Sequence, residues 1–499
     1  MNLATIVDGH PDEALAFVSR GRRTTYGELR ASVADLRTGL VELGVQPGDR
    51  VAIVSANNWF FVVSYLAVLG AGAVVVPLNP ASPAAELRNE LSAVEAKVAI
   101  VGPSGRDAMA GIGQGATSVE HVIVPDGVEL AAATPLDKLL GHKKTTALVD
   151  RGPDDLAVLI FTAGTSGSPK AAKLTHGNLL SNIEQMQRHP GRALNADDVS
   201  LGVLPMFHIF GLNVLLGLSL YAGASVVLVE RFDPASALDT IRDHGVTLIA
   251  GAPPMFSTWA DMPSADPKAM KTVRLAVSGA APLPAEVALA FEGRYGVPVF
   301  QGYGLTEAAP TVTSSVVGGA AKPGSIGLPL PGLEVRIVDE EGEDALQGDA
   351  GEIWVRGPNV FAGYWEDDAT TANVLTGDGW LRTGDIATVD DDGYLYIVDR
   401  AKDLIIVSGF NVYPAEVEEA LLEHPGIAEV AVVGMPHPHS GESVKAFVVQ
   451  AEGHHLEEDQ VIEFCAGRLA RYKCPTKVTF LPELPHGTGG KLLRRQLQA

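Results

Sequence analysis

Between Thr25 and Leu43 apolar residues return every three or four positions: Tyr26, Leu29, Val33, Leu36, Leu40 and Leu43. That spacing predicts an amphipathic helix, with Thr25 and Glu28 placed for a capping box and Gly44 to end it. Pro47 to Asp49 then turns the chain into a strand, VAIVSA, and a second helix-like run, Trp59 to Leu69, leads into the β-branched GAVVVPL. The same alternation continues through LIAGAPP and RLAVSGAAP. Helix and apolar strand in turn predict an α/β fold with parallel sheets. From Gly332 to Tyr396 the pattern changes to short strands separated by turns (LEVRIVD, GEIWVRG, GYLYIVD), which predicts an antiparallel β region.

A break falls near Asp399 to Lys402. Beyond it the pattern reads as a helix (Ala415 to Glu423), strands IAEVAVVG and VKAFVVQ, a helix (Glu457 to Leu469) and a strand KVTFL. This is a small α+β unit of about a hundred residues, the usual size of a compact domain. The 499 residues therefore divide into a large N-terminal domain, 1–399, and a small C-terminal one, 403–499.

Two uncharged stretches, Val51 to Ala85 and Val199 to Val229, are each long enough to span a bilayer. Asn57, Asn58, Pro77, Asn79 and Pro80 interrupt the first, and Pro205, His208, Asn213 and several glycines the second. Such punctuation fits buried strands and short helices, so a chain without an integral membrane segment is expected. The early acidic residues of the N-terminus do not fit a signal peptide. Only two cysteines occur, Cys465 and Cys474, which fits a reducing cytoplasm and neither structural zinc nor a disulfide framework. With 37 Lys+Arg against 60 Asp+Glu the net charge is −23, which argues against nucleic acid and anionic membranes as main partners.

Candidate chemistry begins at FTAGTSGSPKAAKLTHGNL, Phe161 to Leu179. After a buried strand, glycines let backbone N–H groups approach an anion, hydroxyls add donors and Lys170 adds a mobile charge. Pro169 and the lack of Gly-Lys-Ser/Thr separate it from a Walker A loop. Alone, it also fits an ordinary flexible turn. Six further motifs follow: LPMFHIFG (Leu204 to Gly211), SGAAPLP (Ser278 to Pro284), QGYGLTEA (Gln301 to Ala308), GWLRTGDIA (Gly379 to Ala387), DRAKDLIIVSGFNVYPAEVE (Asp399 to Glu418) and GTGGKLLRR (Gly487 to Arg495). In this order they resemble the adenylate-forming superfamily, especially bacterial fatty-acyl-CoA ligases and plant 4-coumarate–CoA ligases. The resemblance runs from about Thr25 to Leu497.

That resemblance implies ATP, Mg2+ and coenzyme A as cofactors and a small-molecule carboxylic acid as substrate. A carboxylate acylates poorly because its leaving group would be oxide. Attack on the α-phosphate of ATP makes a mixed anhydride, from which a thiol displaces AMP, and such a site needs cations and donors more than a nucleophile. By resemblance Thr162, Thr165, Ser166 and Lys170 hold the phosphates, although Ala163 and Ala171 stand where a hydroxyl residue and a glycine are usual. Glu307 is the magnesium ligand, with Thr162 and Thr306 beside it; a helix-capping role is the plainer reading of an acid there. Gln301, Gly302 and Tyr303 surround adenine, Gly279, Ala280 and Ala281 line the base and acyl entrance, and Asp385 and Arg400 take the ribose or phosphate. Lys402 is the hinge of a mobile lid, and Lys491 the adenylation lysine bridging carboxylate and α-phosphate. His208 is the gate aromatic beside the acyl carboxylate, unless it is a satisfied core histidine. Arg231 meets the coenzyme A phosphates, and Ser408, Gly409 and Phe410 line the pantetheine channel. His437 and His439 have no metal-like neighbours in sequence and read as a surface loop.

For the acid, His208, Phe210, Asn213, Val214 and Ala308 are the expected contacts. Phe210 replaces a tyrosine, and Val214 a small polar residue, of coumarate ligases. This favours a medium- or long-chain fatty acid over an aryl acid. The other readings are a loader of a carrier protein, luciferase-like oxidation and, from a different class, a non-enzymatic nucleotide sensor. Lys491 counts against the sensor. A homodimer is compatible with the sequence.

Overall fold

The computed structural model describes the chain except for residues 114, 143, 163–169, 189–192, 340, 347, 401–404, 413, 486–496 and 498–499; at 398–400, 411 and 415 it describes the backbone. The capping box forms as spaced. Glu28 N–H donates to Thr25 Oγ1 at 3.2 Å, and Thr25 N–H to the Glu28 carboxylate at 2.9 Å, opening the helix Tyr26–Glu42. Gly44 follows its end with φ 98°, a left-handed turn that a Cβ would disfavour.

Both uncharged stretches are core. The first becomes strand Arg50–Val54, helix Trp59–Gly70 and strand Val74–Leu78. The helix is buried from Phe60 to Gly70, so it has no polar face to keep wet. The second becomes strand Val199–Gly202, a π-helical segment Phe210–Gly217, helix Leu218–Tyr221 and strand Ser225–Leu228. The π-helical turn departs from the short α-helix the sequence suggests. No helix among the described residues is long and apolar enough to cross a membrane.

Two largely parallel sheets make the large domain. One runs through seven strands in the order Thr134–Pro135, His121–Val124, Val98–Val101, Arg50–Val54, Val74–Leu78, Leu156–Thr162 and Lys170–Thr175, the last antiparallel. The other has nine; its parallel centre joins Leu15–Ser19, Ser225–Leu228, Val199–Gly202, Leu248–Gly251, Leu275–Ser278 and Val299–Gly304. A third, four-stranded antiparallel sheet spans Glu334–Val338 to Leu395–Arg400, in the region where the sequence turns strand-rich.

The small domain is a five-stranded sheet with helices Pro414–Leu422 and Glu458–Ala466. Its core gathers Ile405, Val417, Val432, Val444, Val461 and Val478. The sequence MPHPHS is shorter as a loop than expected. Strand Ile427–His437 carries Pro436 and His437, and pairs directly with Gly441–Gln450. Ile427–His437 is the edge of its sheet, where a proline need not donate to a neighbour.

Candidate active site

Parallel strands end on one side of each sheet, and a cavity of about 560 Å³ opens there. Its wall includes the ends of Val74–Leu78, Leu156–Thr162, Leu248–Gly251, Leu275–Ser278 and Val299–Gly304. Of the residues singled out by sequence, Thr162, Lys170, His208, Phe210, Val214, Gly279, Ala280, Ala281, Gln301, Gly302, Tyr303, Thr306, Glu307, Asp385, Gly409 and Phe410 all line it. Strands, loops and both domains thus converge on one space. Thr165, Ser166, Lys402 and Lys491 lie outside the described residues, as does the Arg400 side chain; the Arg400 backbone pairs with Asp385 across neighbouring strands.

Two expected acid contacts stand behind the wall instead. Asn213 is buried, and its amide donates to the carbonyls of Leu179 at 3.1 Å and Ala309 at 2.7 Å. Ala308 is buried too, with its carbonyl accepting from Asn359 at 2.6 Å. Both belong to the support of the Glu307 turn, because buried backbone carbonyls must be satisfied. Asn182 completes that support: its amide donates to the Thr311 carbonyl at 2.8 Å and accepts the Thr311 N–H at 3.2 Å. Arg231 and Ser408 are exposed and off the cavity.

Glu307 sits in the turn Thr306–Ala308 that leaves strand Val299–Gly304, and its Oε1 accepts the Tyr364 hydroxyl at 2.7 Å. Lys170 Nζ donates to Thr370 Oγ1 at 2.7 Å and lies 3.5 Å from Asp367. Hydrogen bonds from Thr370, with Lys170 nearby, hold the Asp367 carboxyl below the usual carboxylate range. Tyr364, Asp367 and Thr370 thus brace Glu307 and Lys170, the groups the sequence resemblance assigns to metal and phosphate. Sequence reading missed all three; the segment FAGYWEDDATT carried no signal beyond its place between two strands. Tyr303 Oη donates to Asp385 Oδ2 at 2.6 Å, bringing the adenine and ribose candidates together.

His208 opens on the cavity by one edge while protein encloses the rest of the ring. Burial pushes its pKa down to about 4, so the imidazole is neutral near pH 7. Its Nδ1 accepts the Phe210 N–H at 3.3 Å, which leaves Nε2 to carry the proton. A neutral Nε2–H can donate to an acyl oxygen without adding charge. Phe410 of the small domain stands edge-on to His208 at 6.4 Å and stacks on Tyr472 at 4.5 Å. Gly409 precedes it with φ 86°, close against Ala252 and Ala280 of the large domain. The small domain therefore contributes to the same wall as the large one.

Glu307 and the Thr162 hydroxyl offer hard oxygen donors to a magnesium ion. Among the described residues no group of three or more His, Cys, Asp or Glu side chains forms a metal cage.

The profile of the family described as AMP-binding enzyme matches residues 3–365, and that of its C-terminal domain residues 416–491. The chain is 36% identical over 515 aligned residues to a long-chain-fatty-acid–CoA ligase of Bacillus subtilis (strain 168), covering 98% of this chain and 91% of that one. It is 39% identical over 481 residues to a feruloyl-CoA synthase of Amycolatopsis sp, covering 96% and 94%. Among solved structures it is similar to the amide bond synthetase McbA from Marinactinospora thermotolerans, with TM-score 0.88, 31% identity and coverage of 100% and 99%. With the profile matched along most of its length and these relatives aligned nearly end to end, the chain belongs to the AMP-binding, adenylate-forming enzyme family.

Proposed function

We propose that this enzyme is an ATP-dependent acyl-CoA synthetase of the cytoplasm that favours medium- or long-chain fatty acids. A carboxylate oxygen attacks the α-phosphorus of ATP, and pyrophosphate leaves. The thiol of coenzyme A then attacks the acyl carbon, loses its proton, and AMP leaves. Lys170 and the glycine-rich loop take the β- and γ-phosphates, Tyr303 and Asp385 the nucleoside, and Lys491 the charge that builds at the α-phosphate. Glu307 with Thr162 would hold Mg2+, which supplies charge neutralisation for the leaving pyrophosphate. The bodies 1–399 and 403–499 turn about Lys402 between the two half-reactions.

One observation carries the choice of acid. The cavity wall includes, with Phe210, the apolar side chains of Met186, Val214, Leu218, Leu248, Leu275 and Val277. Each buried methylene should add about 0.8 kcal/mol until that space is full. The aryl-acid reading has its own support: the Ser278 hydroxyl is buried in this wall without a hydrogen-bond partner, where it would meet a phenolic group. ATP–pyrophosphate exchange and thioester formation, measured over acetate, octanoate, palmitate, 4-coumarate and ferulate with and without coenzyme A, separate the two. Specificity constants should climb from acetate to octanoate or beyond; preference for ferulate or 4-coumarate over every saturated acid would overturn the fatty-acid reading.

A further inference from the structure

Across the junction between the domains lies a group of ionisable side chains that the chemistry above leaves unused. Lys473 Nζ donates to Glu86 Oε1 at 2.6 Å and to Glu416 Oε1 at 2.8 Å. The second oxygen of Glu86 accepts the Ala470 N–H at 2.8 Å. Glu86 lies on the large-domain helix Ala84–Ala93; Glu416, Ala470 and Lys473 belong to the small domain. Glu90, one turn along from Glu86, faces the same cluster. All four charged side chains are buried.

One lysine therefore meets three carboxyl groups. Fully ionised, the cluster would hold an excess of two negative charges away from water, which the surroundings do not repay. Glu86 engages donors with both oxygens, whereas one oxygen each of Glu90 and Glu416 is buried without a partner. Burial first, and then the Glu86 charge, raise the Glu90 carboxyl well above the carboxylate range. Burial also raises Glu416, against the pull of Lys473 and with a push from Glu419. Burial disfavours the charged form of Lys473, but the Glu416 and Glu86 carboxyl groups bonded to it outweigh that and keep the ammonium protonated. Tyr472 is held neutral by burial. Cys474, with Arg471 near it, donates to the Leu469 and Ala470 carbonyls and supplies no countercharge.

We propose that Lys473, Glu86 and Glu416 form a latch that positions the small domain over the cavity, and that engaging it takes up one proton on Glu90. With the small domain swung away, Glu90 is no longer covered and returns to the ordinary carboxylate range. The docked state then binds more protons than the undocked one. Docking is favoured as pH falls and is lost as pH rises through the docked-state value of Glu90. Because Gly409 and Phe410 reach the cavity only from the docked small domain, the latch sets how long the enzyme dwells in the arrangement that presents them. The proposal rests on rotation of the small domain and not on which acid is activated.

The test uses the full-length, ligand-free enzyme with nitroxide labels on Glu120→Cys and Glu452→Cys, both exposed sites on opposite domains. Pulsed dipolar spectroscopy between pH 6 and 9 counts docked and undocked distances. The docked-to-undocked ratio should fall by up to about tenfold per pH unit while the proton is being lost. Glu90→Gln, which keeps the shape, should flatten that dependence, and Lys473→Met should lower the docked fraction at least tenfold at every pH. A ratio independent of pH, or the same slope in Glu90→Gln, overturns the latch while leaving rotation standing. A single distance at every pH, in Lys473→Met as well, overturns rotation itself and the latch with it.

Discussion

Replacing Gly409 should slow thioester formation far more than adenylate formation. A Cβ at this position would lie 3.0 Å from the Ala252 Cβ and 3.7 Å from the Ala280 Cβ. Carbon atoms settle at about 3.5–4.0 Å, so the small domain would have to retreat by roughly half an ångström or more. Two costs follow, and they act in different places. The φ of 86° makes any L-residue strained by about 1–2 kcal/mol, a cost the loop carries in every orientation of the domain. The contact with Ala252 exists only when the domain is docked, and overpacking of this kind costs about 1–3 kcal/mol. The docked-only part converts to a roughly 5- to 150-fold slower thioester step, with Gly409→Ala at the low end and Gly409→Leu at the high end. Pyrophosphate exchange reads the first half-reaction, and release of AMP from supplied acyl-adenylate with coenzyme A reads the second. Equal loss in both assays, or a Gly409→Leu variant with an unimpaired thioester step, would refute the reasoning.

Glu307→Gln removes the charge and keeps the shape, so exchange should fall steeply and need more Mg2+. Tyr364→Phe deletes a charge-assisted bond of 2.7 Å worth about 1.5–3 kcal/mol, and should raise the Mg2+ needed for half-maximal exchange while the melting temperature changes little. Lys491→Ala should lose exchange yet still convert supplied acyl-adenylate, whereas Lys402→Pro should keep exchange and lose the thioester step; matched defects in one half-reaction would contradict the rotation about Lys402. His176 is buried with its Nδ1 accepting the Leu3 N–H, and burial holds its pKa at about 4. The unfolded chain therefore binds this proton first, near 6.5, and stability should drop by up to ~3 kcal/mol as pH falls from 6.5 towards 4. Urea unfolding of the wild type and His176→Gln over that range checks it, the variant showing the shallower slope.

What could be read from sequence was whatever depends on neighbours a few residues away. Thr25 and Glu28 announced their helix because a capping box is complete within four positions. The uncharged stretches were legible as core because prolines and asparagines cut them to strand and helix lengths. The π-helical turn at Phe210–Gly217 was not legible, since an extra residue per turn is a response to packing. Nor were the braces of the site. Tyr364 and Thr370 come to Glu307 and Lys170 from 57 and 200 residues away, and nothing local marks them. Asn213 was misread for the same reason: its place in a pocket motif was visible, but its turn towards the Leu179 and Ala309 carbonyls was not.

The three asparagines behind Glu307 also order events in the life of the chain. Asn182, Asn213 and Asn359 reach the backbone of residues 308–311 from separate parts of the sequence, and the last of them follows the acid by some fifty positions. A chain emerging from the ribosome can complete both parallel sheets before Asn359 appears. Until then the turn that aims the carboxylate has one of its amide anchors missing. Full anchoring of the Glu307 turn should therefore come late in synthesis. A fragment ending before Asn359 would be folded in outline with the Glu307 turn left short of one anchor.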